Sequence, residues 1–207
     1  MPTINIATTS GTVSNQGSVY STVHGATTGS AISVNPTTAL IGQVQTGGTY
    51  HIYRAFLAFN TSAITTNPAS ATLNIFITTI DTASYLVQIG TAPSLVTNIA
   101  TTDFAAYTTN YSGIFTVTAG WNTITLNSTA LVNLNALTTF DVAIIGLNDI
   151  NSIAPTGISE TDTLGFSTNI PYISYVLGGY THKIESIVTM GKVNGVLRSA
   201  ITKLDKV

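Results

Sequence analysis

The chain has 207 residues, of which 7% are charged, no cysteine, and a formal net charge of −2. That length suffices for one large β domain with an appendage, and it buries about 70% of its extended surface without disulfide support. The missing cysteine excludes a thiol nucleophile and cysteine-ligated metal. Charge lies far below the ~25% usual in soluble domains, so Thr, Ser, Asn and Gly must supply a neutral, hydrogen-bonding surface. Such a surface suits extracellular, particle-borne or carbohydrate-facing proteins.

The charge is also unevenly placed. Residues 1–182 hold one cation, Arg54, against Asp81, Asp103, Asp141, Asp149, Glu160 and Asp162, a net of −5. Residues 183–207 hold Lys183, Lys192, Arg198, Lys203 and Lys206 against Glu185 and Asp205, a net of +3. The body has no basic track for phosphates, which argues against nucleic acid as a partner. Met1–Ala7 lacks the basic and apolar regions of a secretion signal. No 18-residue apolar run suggests a membrane span. An exterior-type surface without an export signal implies a removed signal, or assembly inside a cell onto something later released, such as a virus particle.

Residues 1–50 are rich in Thr, Ser and Gly. Strand-like pieces at Thr3–Thr8, Ser18–Val23, Ala31–Val34 and Ala39–Val44 alternate with glycine punctuation. After Gly47-Gly48, Tyr53–Ile64 reads as a central strand. Tyr53, Ala55, Leu57 and Phe59 lie on one face, and Arg54, Phe56 and Ala58 on the other, so both faces should meet something. Asn67-Pro68 turns into Ala69–Thr79, where Leu73, Ile75 and Ile77 alternate with Asn74 and Phe76. Tyr85–Gly90 follows, then a polar excursion over Pro93–Tyr111. Ile114–Thr118 and Trp121–Leu126 are expected to pair as a hairpin around Ala119-Gly120. Ser128–Leu137 is the one helix candidate, capped by Asn127 or Ser128. Phe140–Leu147, Thr161–Ser167 and Tyr172–Leu177 complete the body. Ten or more short strands with a single short helix predict an all-β, jelly-roll-like antiparallel sandwich over residues 1–180.

Several of these stretches resemble one family. Arg54-Ala-Phe-Leu-Ala-Phe59-Asn60, then Ala69-Ser-Ala-Thr-Leu73-Asn-Ile, is similar to the opening of the DNRLRE-type jelly-roll domains. Trp121-Asn-Thr-Ile-Thr-Leu-Asn127 resembles their later Trp-containing strand. Leu164-Gly-Phe166-Ser167 and Pro171-Tyr-Ile-Ser-Tyr175 resemble their closing strands. The likeness spans about residues 50–180. It departs at Asn60, where the family usually has Asp, which weakens any ion-pair or metal role carried to that position. The resemblance implies binding or structural work rather than catalysis.

Residues 181–207 form a separate segment. Lys183…Ile187, Lys192-Val193-Asn194-Gly195-Val196 and Lys203…Val207 repeat a Lys-apolar-x-x-apolar unit, and Asn194-Gly195 is a type I′ turn signal. The segment resembles short Lys-Val-Asn-Gly-Val repeats that end many phage structural proteins. It is too short for a core of its own, so it is expected to dock on the body, a sister chain or a particle.

Candidate sites are few. Arg54 is expected to be a structural ion-pair partner of Glu160 or Asp141, because a buried unpaired guanidinium is costly. Asp141, Asp149, Glu160 and Asp162 invite the thought of structural calcium, but no Asp-x-Asp-x-Asp-Gly loop is present and no cofactor is expected. His24, His51 and His182 show no zinc spacing. No G-x-S-x-G elbow occurs. Tyr107 and Tyr111, in the polar excursion, are the candidate sugar-stacking residues; Trp121, at a strand start, reads as core. The sequence thus points to a non-enzymatic virion structural protein, a capsid decoration or fibre. Its partners would be itself, as a trimer, or other virion proteins, at the virion or extracellular surface. The alternative is a carbohydrate-binding module or adhesin tip that meets host surface glycans.

Overall fold

A computed structural model describes residues 1–6, 10–34, 38–80, 85–92, 99–156, 160–165 and 169–178. The tail residues named above lie outside them. Twelve strands are present among the described residues: β1 (Thr3–Asn5), β2 (Gly11–Gly17), β3 (Ala31–Val34), β4 (Thr38–Thr46), β5 (Thr49–Asn60), β6 (Pro68–Ile80), β7 (Tyr85–Thr91), β8 (Phe115–Val117), β9 (Gly120–Thr125), β10 (Thr139–Gly146), β11 (Glu160–Gly165) and β12 (Tyr172–Leu177). Helices α1 (Tyr20–His24), α2 (Ser128–Ala136) and α3 (Leu147–Ile150) and a 3-10 turn at Thr101–Ala105 fill the connections.

Hydrogen bonding runs in one path, β1-β12-β6-β11-β4-β5-β10-β7-β8, with β9 on β6, and β2 carrying β3 beside β5. Every pairing is antiparallel. The ladder folds into two layers. Leu73, Ile75 and Ile77 of β6, Ile124 of β9 and Ile173 of β12 meet Ala55, Leu57 and Phe59 of β5, Val87 and Ile89 of β7, and Val142 and Ile144 of β10 in one core cluster. The fold is therefore an all-β, jelly-roll-like sandwich, as the alternating pattern predicted.

β5 is the spine. Tyr53 pairs with Ser14 on one side and Gly42 on the other; Ala55 pairs with Thr12 and Ile144. Thus β4 and β10 share one edge of β5, in succession, and β2 takes the other. The two faces of β5 separate as the sequence pattern requires. Ala55, Leu57 and Phe59 enter the inter-layer core. Ile52, Phe56 and Ala58 enter a second cluster with Val13, Ala143 and Ile145, closed by Val23 of α1, Ile99 and Phe104. One layer is covered on both faces. Among the described residues, the layer β9-β6-β12-β1 is covered on one.

Three expectations are corrected. Ser18–Val23 is not a strand: Tyr20–His24 is helical, because Val23 must turn down into the second cluster while Tyr20 and His24, four apart, stack at 5.6 Å. The strand lies just before it, at Gly11–Gly17, whose one large apolar residue, Val13, gave the sequence little periodicity to show. The helix count also rises, since Leu147–Ile150 leaves the end of β10 as a helix. The helix expected at Ser128 is present, with the Asn127 side chain accepting from the Ala130 amide at 3.0 Å.

The expected hairpin of β8 and β9 does not form. β8 pairs with β7 and β9 with β6, so the Thr118–Gly120 turn carries the chain from one layer to the other. Gly120 adopts φ +93, which favours glycine. The buried Asn122 side chain closes this turn, accepting from the Thr118 amide at 2.9 Å and donating to the carbonyls of Thr118 and Gly120 at 2.7 and 2.9 Å. Asn122→Ala strips those groups of partners in a nearly dry site. It should lower unfolding free energy by about 1–3 kcal/mol, read from urea denaturation midpoints at unchanged slope.

Candidate functional site

Arg54 stands on the covered face of β5, 7% exposed. Its Nε and Nη2 each donate to a carboxylate oxygen of Asp149 at 2.7 Å, a two-pronged pair. Nη1 donates to the Phe104 carbonyl, and the guanidinium lies 4.0 Å from the Phe104 ring centroid. Asp149, in α3, is wholly buried. His24 Nε2 lies 2.7 Å from the Asp149 carbonyl oxygen and 3.4 Å from its Oδ1. Arg54 is thus an ion-pair residue, but its partner is Asp149.

Asp141 is not that partner. It stands opposite Ala58, four residues along β5 from Arg54, which at ~3.3 Å per residue is about 13 Å away. Glu160 is described in backbone only, opposite Gln43 in β4, while Asp149 fills both prongs of the guanidinium. Sequence reading missed Asp149 as the partner because it lies 95 residues away along the chain, where no local pattern links it to Arg54. Among the described residues no three of His, Asp or Glu converge as metal ligands.

The two tyrosines do not make a sugar platform. Tyr111 is 2% exposed, stacked on Phe140 at 4.9 Å, and its hydroxyl accepts from Asn133 Nδ2 at 2.7 Å. Burial raises its pKa above the usual phenol value. Tyr107 is half-buried against the second cluster. Its hydroxyl lies 2.6 Å from Asn110 Oδ1 and 3.1 Å from Gln88 Oε1, and its one proton serves either. Gly90 leaves room for its ring, which a Cβ there would overlap.

The open aromatic surface is elsewhere. Along β9 and into Leu126 just after it, Asn122, Ile124 and Leu126 point inward, so Trp121, Thr123 and Thr125 point out. Trp121 is 47% exposed, contrary to its reading as core. It stands opposite Phe76 of β6, edge-on at 5.5 Å, and leans over β6 to meet Tyr172 of β12 edge-on, also at 5.5 Å. Beside these rings runs a row of neutral polar groups. Thr123 Oγ1 donates to Asn74 Oδ1 at 2.9 Å; Asn74 Nδ2 reaches Ser174 Oγ at 3.1 Å; Ser174 and Thr72 hydroxyls lie 2.8 Å apart.

No protein-family model and no curated protein matches this chain. Among the described residues no helix is long and apolar enough to cross a membrane.

Two outcomes test this geometry. Arg54→Ala leaves the Asp149 carboxylate buried without its countercharge and should cost about 3–5 kcal/mol in urea unfolding; Arg54→Met paired with Asp149→Leu should recover much of that loss. Burial pushes the Tyr107 pKa from 10.0 up to about 12. The folded value is raised, so its contribution is complete below pH 10 and is lost as pH climbs through 12. Absorbance titration at 295 nm should show a late phenolate step that Tyr107→Phe removes.

Proposed function

We propose that this chain is a non-enzymatic structural protein of a virus-like particle, a jelly-roll-like domain held at the particle surface by residues 181–207. One observation carries the reading: a sandwich whose one Lys or Arg before residue 183 is locked inside, with one layer's outer face, among the described residues, exposing Trp121, Thr123 and Thr125 and no charge beside them. Groups an enzyme would need at a surface are spent on structure here, since Arg54 and Asp149 consume each other beneath α1, α3 and the 3-10 turn. The resemblance of residues 50–180 to surface-associated jelly-roll domains and the basic repeat segment support the same reading.

The attachment role is tested by light scattering after size exclusion on the full chain and on residues 1–180. A trimer for the full chain and a monomer for the truncation are expected. A strictly monomeric full chain whose residues 181–207 are digested as fast as an unfolded peptide would overturn the proposal.

A further inference from the structure

We infer that the outer face of β9, β6 and β12 is a binding site for a neutral pyranose of an oligosaccharide, with Trp121 as the stacking residue. The inference goes beyond the particle reading and does not rest on it.

The argument begins with register. Trp121, Thr123 and Thr125 of β9 lie opposite Phe76, Asn74 and Thr72 of β6. Asn74 and Thr72 in turn lie opposite Tyr172 and Ser174 of β12, and those opposite Asn5 and Thr3 of β1. Side chains directly across a pair share a face. One face therefore carries three aromatic rings at one end and Thr, Asn and Ser at the other. None of these residues is charged.

That composition selects a ligand class. An exposed indole offers an apolar surface to the C–H groups on one side of a pyranose ring. Phe76 and Tyr172 hold it from two sides, so little rotamer freedom remains to be lost on binding. A sugar's hydroxyls need donors and acceptors beside the ring, and the exposed Thr123 and Thr125 hydroxyls with the partly exposed Thr72 stand there, while Asn74 and Ser174, 6% and 8% exposed, lie beneath and hold Thr123 and Thr72 in place by hydrogen bonds. Threonine hydroxyls can both give and accept, which suits a ligand made of hydroxyls. The lack of charge disfavours a phosphate, a sulfated glycan or a charged peptide, which would lose hydration there with no countercharge in return. A second copy of the chain would bury these groups against an equally polar face.

Trp121 is the chain's only tryptophan, so its emission reports on this face alone. The experiment titrates the full chain with maltoheptaose, cellohexaose, mannohexaose and xylohexaose, and follows indole fluorescence beside calorimetry. A saturable change with at least one of them is expected, and Trp121→Ala should weaken its calorimetric affinity at least tenfold with an unchanged thermal midpoint. Tyr172→Phe, which keeps the ring, should retain binding within about threefold. Three results would overturn the inference: no saturable change with any of the four at millimolar concentration; binding that survives Trp121→Ala; or an indole shift that follows protein concentration rather than sugar, which would mark the face as a contact between copies.

Discussion

The fold depends on placing one guanidinium in the interior. Arg54 is the only Lys or Arg in the first 182 residues, and it points into the covered face of the strand that pairs with three others. A charge there is tolerable only if its hydrogen bonds are all met. Asp149 takes two donors and the Phe104 carbonyl a third. Those partners belong to α3 and to the 3-10 turn, which also pack Ile150 and Phe104 against the second cluster. The pair thereby fixes where two connections sit over β5. A buried ion pair adds little net stability compared with apolar packing of the same volume. Its effect here is selective: an arrangement of the loops that leaves Asp149 away from Arg54 strands two charges at once.

That clamp makes the two layers unequal. The layer built on β5 and β10 packs its second face beneath α1, Ile99, Phe104 and the neighbouring loops. Among the described residues the layer built on β6 has no such cover: Trp121, Thr123 and Thr125 stay exposed, and Asn74 is buried only by the side chains beside it. Its strands still alternate strictly, with Leu73, Ile75 and Ile77 turned to the core. The outer positions therefore escape the demands of packing. Aromatic rings there must be explained by something other than the core, since threonine alone would satisfy a strand surface.

The strands were legible because period-2 alternation is a local signal. Ile75 and Ile77 declare their face, and Asn127 declares a helix start. What the sequence hid was contact across distance. Asp141, Asp149 and Glu160 are equivalent carboxylates until the register of β10 puts Asp141 beside Ala58 and sends Asp149 into α3. Tyr111 stood in a polar stretch, yet its amide bonds to the Ile89 carbonyl at 2.8 Å, which draws the ring into the core. Trp121 is different, for its signal was present. With Ile124 and Leu126 facing in, the parity of β9 turns Trp121 out; the general tendency of tryptophan toward burial masked that parity. β2 left no trace, because a strand flanked on both edges by others can be built from Thr, Ser, Asn and Gln when its backbone bonds carry the pairing.

A face without charge sets the style of recognition available to it. It cannot steer a partner from a distance, since steering requires a field. What remains is contact: an indole that sheds water and a fixed row of hydrogen bonds that replaces water already bound. Exchange of that kind is modest per site, because each bond made to a sugar displaces one made to solvent. Useful affinity then comes from repetition. If several copies are held together by residues 181–207, each bound residue of a glycan raises the effective concentration of the next, and avidity grows by orders of magnitude with no new contact. The proposed sugar site and the proposed assembly segment are thus separate properties whose physical consequences would multiply, because one sets the strength of each contact and the other the number of contacts made at once.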